Sequence, residues 1–382
     1  MKIISLYKTF SILHSVILNM VSTSAKRNKT SDFFFLLNQF ILDCQTGKRL
    51  LKNGSKMKPG TVNNYRSLQK LLLDFVAKNR ITLRIKNLNN CTSRQFLIER
   101  NYWKKVYRGL TNYMYKTKNN HDNYVGTNLK LIRSFFNYLN TEKGIETKQL
   151  QKLFYPISEE IPVIALNAEQ INKLIYDKEF EALLPYQLKV SKDIFVFGCT
   201  VGLRYSDLTA LKRSNIETVY NEYYLKVISK KTQVTTQIKL PEYAVEIIHR
   251  YKKNKLFLLP RFQLLTLNKN FRKIGELAGW TDLVQKKRRK RGMLKEILKF
   301  NDGKSYRFCD LISSHTMRRT AITTLLNLGM PEHMVRKISG HAAGSKEFFK
   351  YVQYSQNYID QEMEKAHSKL KRMNNTNSKN NI

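Results

Sequence analysis

The sequence predicts a mainly α-helical protein with a small β-hairpin, arranged as an all-α N-terminal domain and a larger α-rich C-terminal domain. Three observations carry that prediction. Apolar residues recur at helical spacing through most of the chain. One interval differs, residues 223–227 and 234–240, where apolar and polar residues alternate as in a half-buried strand pair. A proline-bracketed stretch at 156–162 separates two segments of a 382-residue chain, and at roughly 150 residues per domain each can bury a core.

The N-terminal helices follow in order. Phe33, Phe34, Leu36, Leu37, Phe40 and Ile41 line one helix; Thr61 is placed to cap a second that carries Tyr65, Leu68, Leu71, Leu72 and Phe75. Residues 93–115 read as a third, with Phe96, Leu97, Tyr102, Trp103, Val106 and Tyr107 periodic. Thr127 opens a fourth through Leu129, Ile132, Phe135, Phe136 and Leu139, ending near Gly144. No strand signal accompanies them, so residues 30–150 form the first domain and 151–163, with Glu159 and Glu160 between prolines, the linker. The second domain spans 164–370. Inside it the hairpin turns at 229–232, and Pro241 ends it and begins a helix over 242–252. Residues 1–29 are a leader, read as disordered or as a mis-assigned start with Met20 the true one. Residues 371–382 are a disordered polar tail.

Composition narrows the function. The formal net charge of +39, on a chain with 42% apolar residues, belongs to a folding protein that meets a polyanion. Nucleic acid leads, an anionic membrane surface comes second, and a metabolic enzyme of small acids is disfavoured. Cys44, Cys91, Cys199 and Cys309 lie far apart without a CxxC pair, which fits a reducing cytoplasm and offers no zinc knuckle. The semi-apolar stretch 3–21 is interrupted by Lys8 and His14; it is too polar for a membrane span, so no membrane partner is expected. There is no GxxxxGK[ST] or GxGxxG loop, no HExxH and no carboxylate cluster. No cofactor and no metal are therefore expected, and phosphoryl charge must be met by the protein's own cations.

Those cations fall in three short sets. In Gly198-Cys-Thr-Val-Gly-Leu-Arg204-Tyr-Ser-Asp207 an apolar helix runs into a glycine turn and then Arg204, with Ser206 placed to cap the next helix and Asp207 in its first turn. Taken alone, Arg204 reads equally well as a packing residue paired with Asp207. In Ser313-Ser-His315-Thr-Met-Arg318, Ser314 is a good N-cap, and His315 and Arg318 share one face of the first turn beside free backbone N–H groups. The third set is Ser339-Gly-His341 followed by Phe348-Phe-Lys-Tyr351-Val-Gln-Tyr354. Here Pro331 starts a short helix that ends at Gly340, and Ser345 caps another carrying Tyr351. A wholly basic run, Lys286, Lys287, Arg288, Arg289, Lys290 and Arg291, reads as a solvated loop or strand, as a DNA-backbone clamp, or as a localisation signal that nothing else in the sequence supports.

In this order, an arginine turn, a hairpin with Lys230 and Lys231 at its tip, HxxR, then GH and a tyrosine, the chain resembles the tyrosine recombinases of the phage integrase family. The resemblance covers about residues 164–370. It is closest to integrases of Bacteroidota mobile elements, which carry similar GLRYSDL, ISSHTxRRT and KISGH stretches and a similar basic insertion at 283–309. The N-terminal helices look like that family's SAM-like core-binding domain. The resemblance implies a site-specific recombinase acting in a tetramer on double-stranded DNA, with catalytic residues Arg204, Lys231, His315, Arg318, His341 and the nucleophile Tyr351. It implies a covalent 3′-phosphotyrosyl intermediate, formed without ATP or metal, and a cytoplasmic, DNA-associated protein.

Two positions leave alternatives. Alternation along a hairpin turns only one of Lys230 and Lys231 inward, and Lys-Thr matches the family at Lys231. Tyr351 lies one residue farther from His341 than the family usually has, with Tyr354 and then Tyr358 as fallbacks. Residues 357–370, with Ile359, Met363 and Leu370 on a thin apolar side, are expected to dock into a neighbouring protomer. The rival functions are a DNA-binding relative with decayed chemistry and a type IB topoisomerase.

Overall fold

A computed structural model of the protein describes residues 30–229, 233–299, 302–341, 348–349, 359–360 and 362–368. The fold is mainly helical with small sheets, as the sequence predicts. It divides into two compact units: residues up to Glu159 together with Arg288–Lys295, and Glu160–Lys287 together with the residues from Glu296 onward.

Four long helices build the first unit: α1 (Phe33–Thr46), α2 (Pro59–Asn79), α3 (Ser93–Asn112) and α4 (Asp122–Thr141). Their inward faces are the periodic apolar residues, and the centre is aromatic. Phe33, Phe40, Trp103, Phe135, Phe136 and Phe154 pack edge-on or tilted, with Trp103 and Phe136 at 5.0 Å and 86°. Such pairs add about 0.5–1.5 kcal/mol each beyond the area they bury.

Several boundaries differ from expectation, each for a local reason. Helix α2 begins at Pro59 after Lys58, because proline needs no N–H partner in the first turn; Thr61 lies inside that turn. Helix α3 is capped by Thr92, whose Oγ1 accepts from Gln95 N; it passes at Tyr113 into a wide turn, Tyr113–Thr117. Leu97, periodic in the sequence, is exposed. A ribbon that has no sequence signal joins β1 (Thr30–Asp32) to β2 (Arg84–Lys86) antiparallel. Three-residue strands are too short to show alternation.

The segment after α4 is fastened to the same unit. A Cβ built on Gly126 would stand 1.7 Å from the Ile157 carbonyl oxygen, so only glycine lets the chain pass there. Asn123 then bonds Glu159 through both backbone groups, at 3.0 and 2.9 Å.

The second unit is centred on α7 (Tyr186–Val201), a helix buried on nearly all sides. Ahead of it come α5 (Ala168–Tyr176) and α6 (Lys178–Leu183), and after it a single turn, α8 (Tyr205–Leu208). The expected hairpin is present as β4 (Glu222–Ile228) and β5 (Thr235–Lys239), with a third strand, β3 (Ile216–Val219), on the outer side of β4. Leu225 lies opposite Ile238 and Val227 opposite Thr236, so one face of the sheet is buried. Helices α9 (Glu242–Arg250), α10 (Leu264–Leu277), α11 (Ser314–Asn327) and α12 (Glu332–Ile338) complete the unit, with the short pair β6 (Leu283–Val284) and β9 (Tyr306–Arg307). Residues 359–360 and 362–368 are helical, and Ile359 and Met363 are exposed. No helix among the described residues is long and apolar enough to cross a membrane.

The basic run forms a second hairpin, β7 (Lys287–Lys290) with β8 (Met293–Glu296), turning at Arg291 and Gly292.

Candidate active site

The arginine turn is made by close helix contact. Where α7 passes α11, a Cβ on Gly198 would sit 2.4 Å from Met317 Sδ, so the two helices approach only because position 198 is glycine. Gly202 then ends α7 with φ +63°, the left-handed region where glycine is at ease. Leu203 is buried and anchors the turn, and Arg204 emerges half-buried at the N-terminus of α8. Ser206 does not fill the capping position that the spacing suggests; Arg204 is the N-cap residue, two positions earlier, and Ser206 is exposed within α8. Asp207 does lie in the first turn, and is buried.

The HxxR helix also starts early, by one residue. Ser313 is the N-cap residue of α11, its backbone N–H donating to Thr316 Oγ1 at 3.0 Å; the Ser314 N–H donates to Asn268 Oδ1 at 2.8 Å. The two side chains of this turn differ in burial: His315 faces solvent, and Arg318 is 2% exposed.

Arg318 ties the motifs together. Its Nη1 donates to the Gly202 carbonyl at 2.9 Å and the Ser339 carbonyl at 2.5 Å, and its Nη2 meets His341 Nε2 at 2.9 Å. One guanidinium thus bonds the turn before Arg204 and the turn that carries His341. Ser339 Oγ donates its single hydrogen to Val335 O at 2.6 Å and so accepts from His341 Nδ1 at 2.8 Å. These contacts assign the His341 proton to Nδ1 and leave Nε2 as the acceptor toward Arg318. The imidazole stands edge-on to Phe348 at 5.3 Å, and Arg336 covers Phe348 and Phe349 at 4.7 Å.

The hairpin approaches the same place. Thr236 Oγ1, on β5, donates to Lys337 O at 3.1 Å, holding the sheet against α12. Ser229, at the end of β4, accepts from Arg204 Nη1 at 3.0 Å. The structure therefore brings Arg204, Arg318 and His341 together, with His315 one turn from Arg318. Lys230, Lys231, Tyr351, Tyr354 and Tyr358 lie outside the described residues, as does Ser345. Ser229 and Ser339 belong to the site without having been singled out by the sequence. Ser339 stands in the Ser-Gly-His motif, but a serine before glycine carries no signal of its own.

Burial pushes the thiols of Cys44, Cys199 and Cys309 up, away from the reactive thiolate form. Among the described residues no group of His, Cys, Asp or Glu has the placement of a metal site.

The basic run divides by strand alternation. Arg288 bonds Glu159 at 2.8 Å, Lys290 Nζ bonds Asn119 at 2.6 Å, and Arg291 bonds Asn112 and lies over the Tyr115 ring at 5.0 Å. Lys286 lies over Tyr306 at 4.3 Å. Lys287 and Arg289 face solvent, although the Arg289 backbone N–H donates to Glu159.

Residues 165–357, just over half the chain, match the phage integrase family. The chain belongs to the phage integrase family. It is accordingly a tyrosine-type site-specific recombinase, an enzyme of DNA recombination and integration. No curated protein matches it in sequence. Solved structures of the same fold include a lambda integrase dimer bound to a COC′ core site, at 14% identity and TM-score 0.51, covering 85% of this chain and 97% of that one. The XerH recombinase in a post-cleavage complex with a palindromic difH substrate aligns at 13% identity and TM-score 0.51, over 86% and 83%. A point variant of the Tn1549 transposon integrase with transposon right-end DNA aligns at 15% and 0.54, over 88% and 99%. At these identities the likeness speaks for the recombinase fold.

Proposed function

We propose that this recombinase is a mobile-element integrase, closest to those of Bacteroidota elements, that breaks and rejoins duplex DNA through a covalent 3′-phosphotyrosyl intermediate. The observation that carries the reading is Arg318 bonded at once to the Gly202 turn and to His341, which makes one cationic site from motifs far apart in sequence. In this reading Arg204 and Arg318 hold the non-bridging oxygens of the scissile phosphate with planar, paired N–H groups, which lysine would do less well. The Tyr351 oxygen forms its bond to phosphorus as the bond to the 5′ oxygen breaks. His315 assists removal of the phenolic proton, and Lys231 delivers one to the leaving oxygen. The phosphotyrosyl bond keeps the energy of the phosphodiester, so rejoining is the reverse attack by a 5′ hydroxyl.

Residues 30–150 would be the core-binding domain, 151–163 the linker and 164–370 the catalytic domain. The outward Lys287 and Arg289 are the members of the basic run best placed for phosphate contact. The exposed Ile359 and Met363 fit docking of the terminal helix into a second protomer, toward a tetramer on DNA in the cytoplasm. Incubation with a nicked suicide substrate tests the reading. The native protein is expected to form a detergent-stable DNA adduct and Tyr351→Phe none, with DNA binding unchanged. An adduct formed equally by Tyr351→Phe would move the nucleophile elsewhere.

A further inference from the structure

We propose that Ser229 is a positioning residue for strand cleavage: its hydroxyl, set between Arg204 and Asp207, holds the Arg204 guanidinium in place as a phosphate ligand. The inference rests on the recombinase reading above and adds to it a residue that none of the motifs contains.

Ser229 is 3% exposed, and its two side-chain contacts have opposite polarity. Oγ accepts from Arg204 Nη1 at 3.0 Å and donates to Asp207 Oδ2 at 3.3 Å. An arginine can only donate and a carboxylate can only accept, so the single hydroxyl hydrogen must point at Asp207, and a lone pair must point at Arg204. The hydroxyl thus relays the carboxylate's orientation to the arginine. Among the described residues Arg204 makes no ion pair, so the packing alternative, a direct Arg204–Asp207 bridge, gives way to a hydroxyl-mediated one. The guanidinium is held by one neutral contact and keeps its charge and its other N–H groups for an incoming phosphate.

The backbone of Ser229 adds a second constraint. Its N–H donates to Val234 O at 3.0 Å, and its carbonyl accepts from Gln233 N at 2.8 Å. These bonds fix the Ser229 backbone against residues 233 and 234, so the residue orienting Arg204 is itself held from two sides. Its Cβ stands 3.5 Å from where a Cβ on Gly340 would lie, beside the turn bearing His341. The arginine turn and the histidine turn therefore meet at one buried serine.

The test compares native protein, Ser229→Ala, Ser229→Cys and Arg204→Ala in single-turnover cleavage of a nicked suicide duplex. Each is run with a normal scissile phosphate and with a methylphosphonate there. The methylphosphonate lacks one non-bridging oxygen and its charge, so it needs less from Arg204. Ser229→Ala is expected to slow cleavage of the phosphate roughly 10- to 100-fold, the effect of one hydrogen bond to a charged group, with DNA affinity within about twofold of native. On the methylphosphonate the loss should shrink, as it should for Arg204→Ala. Ser229→Cys fills the space of the serine side chain but is a poor acceptor, so it should lose rate as alanine does without leaving a gap. Native-rate cleavage by both serine variants, or an equal loss on both substrates, overturns the inference. Native-rate cleavage by Arg204→Ala would instead overturn the recombinase assignment of that arginine.

Discussion

Arg318 and His341 are both buried and joined Nη2 to Nε2 at 2.9 Å, with the same guanidinium donating to two backbone carbonyls. Arginine is required by this geometry. A lysine ammonium at that position is a point charge on a flexible stem and cannot reach Gly202 O, Ser339 O and the imidazole in one plane. Arg318→Lys is therefore expected to leave at least one buried acceptor unpaired. The loss should be about 2–4 kcal/mol of stability, read as a lowered urea midpoint. Cleavage should fall further than stability accounts for, because the Gly202 turn that carries Arg204 is released as well. Cleavage and midpoint both at native values would show that the plane is not needed.

Gly198 and Met317 make a prediction about helix packing. Alanine at 198 places a methyl 2.4 Å from the sulfur of the buried Met317, so α7 and α11 must separate or the methionine must leave its rotamer. Gly198→Ala is expected to destabilise the protein by about 1–3 kcal/mol. The double variant Gly198→Ala, Met317→Ala should be more stable than the sum of its singles predicts, since each change makes room for the other. Strict additivity in the unfolding cycle would mean that the helices do not meet there as described.

How far the sequence foretold these results depends on the kind of signal each feature leaves. The long helices were legible because Phe33 to Ile41 and Leu129 to Leu139 repeat over several turns, and a mistaken cap moves such a helix by only a few residues. Ser206 and Ser314 were misread as caps for that reason: two serines or a polar run offer several equivalent starts, and tertiary contacts such as Ser314 N–H to Asn268 choose among them. Strands β1 and β2 had no signal, because three residues cannot alternate. Arg204, His315, Arg318 and His341 were readable as a set through motif order. Ser229 was not, because its role depends on two partners, 22 and 25 residues away, that meet only in the fold.

His121 makes the first unit sensitive to pH. It precedes α4, half-buried, with Asp122 and Glu159 on one side of its charge balance and Arg288 and Lys290 on the other. Burial, reinforced by those two cations, pushes its pKa below 6.5. The unfolded chain then binds the proton first. The stability penalty is absent above 6.5, grows as pH falls, and is complete below the folded-state pKa. His121→Asn is expected to flatten the pH dependence of this unit's unfolding between pH 6.5 and the folded-state pKa. An unchanged slope would place the titrating group elsewhere.

Asp122 fastens the basic hairpin by its turn. Its carboxylate accepts from Tyr115 Oη and Arg291 N, each at 2.7 Å, and from Gly292 N at 2.9 Å. The positive φ of both Arg291 and Gly292 turns two successive N–H groups toward one anion. Burial raises its pKa, but these three donors outweigh burial and hold it below 3.8. The stabilisation is therefore complete above 3.8 and is lost as pH falls through the depressed folded-state value. Asp122→Asn keeps the shape but offers one acceptor oxygen where there were two. Amide hydrogen exchange at Arg291 and Gly292 should then quicken by about 10- to 100-fold at neutral pH, the equivalent of one to two charge-assisted hydrogen bonds, while amides in the middle of α3 keep their native rates. If Arg291 and Gly292 exchange no faster in the variant, the hairpin is held by its other contacts, Arg288 and Arg289 to Glu159, Lys290 to Asn119 and Arg291 to Asn112, and the charge of Asp122 serves only Tyr115.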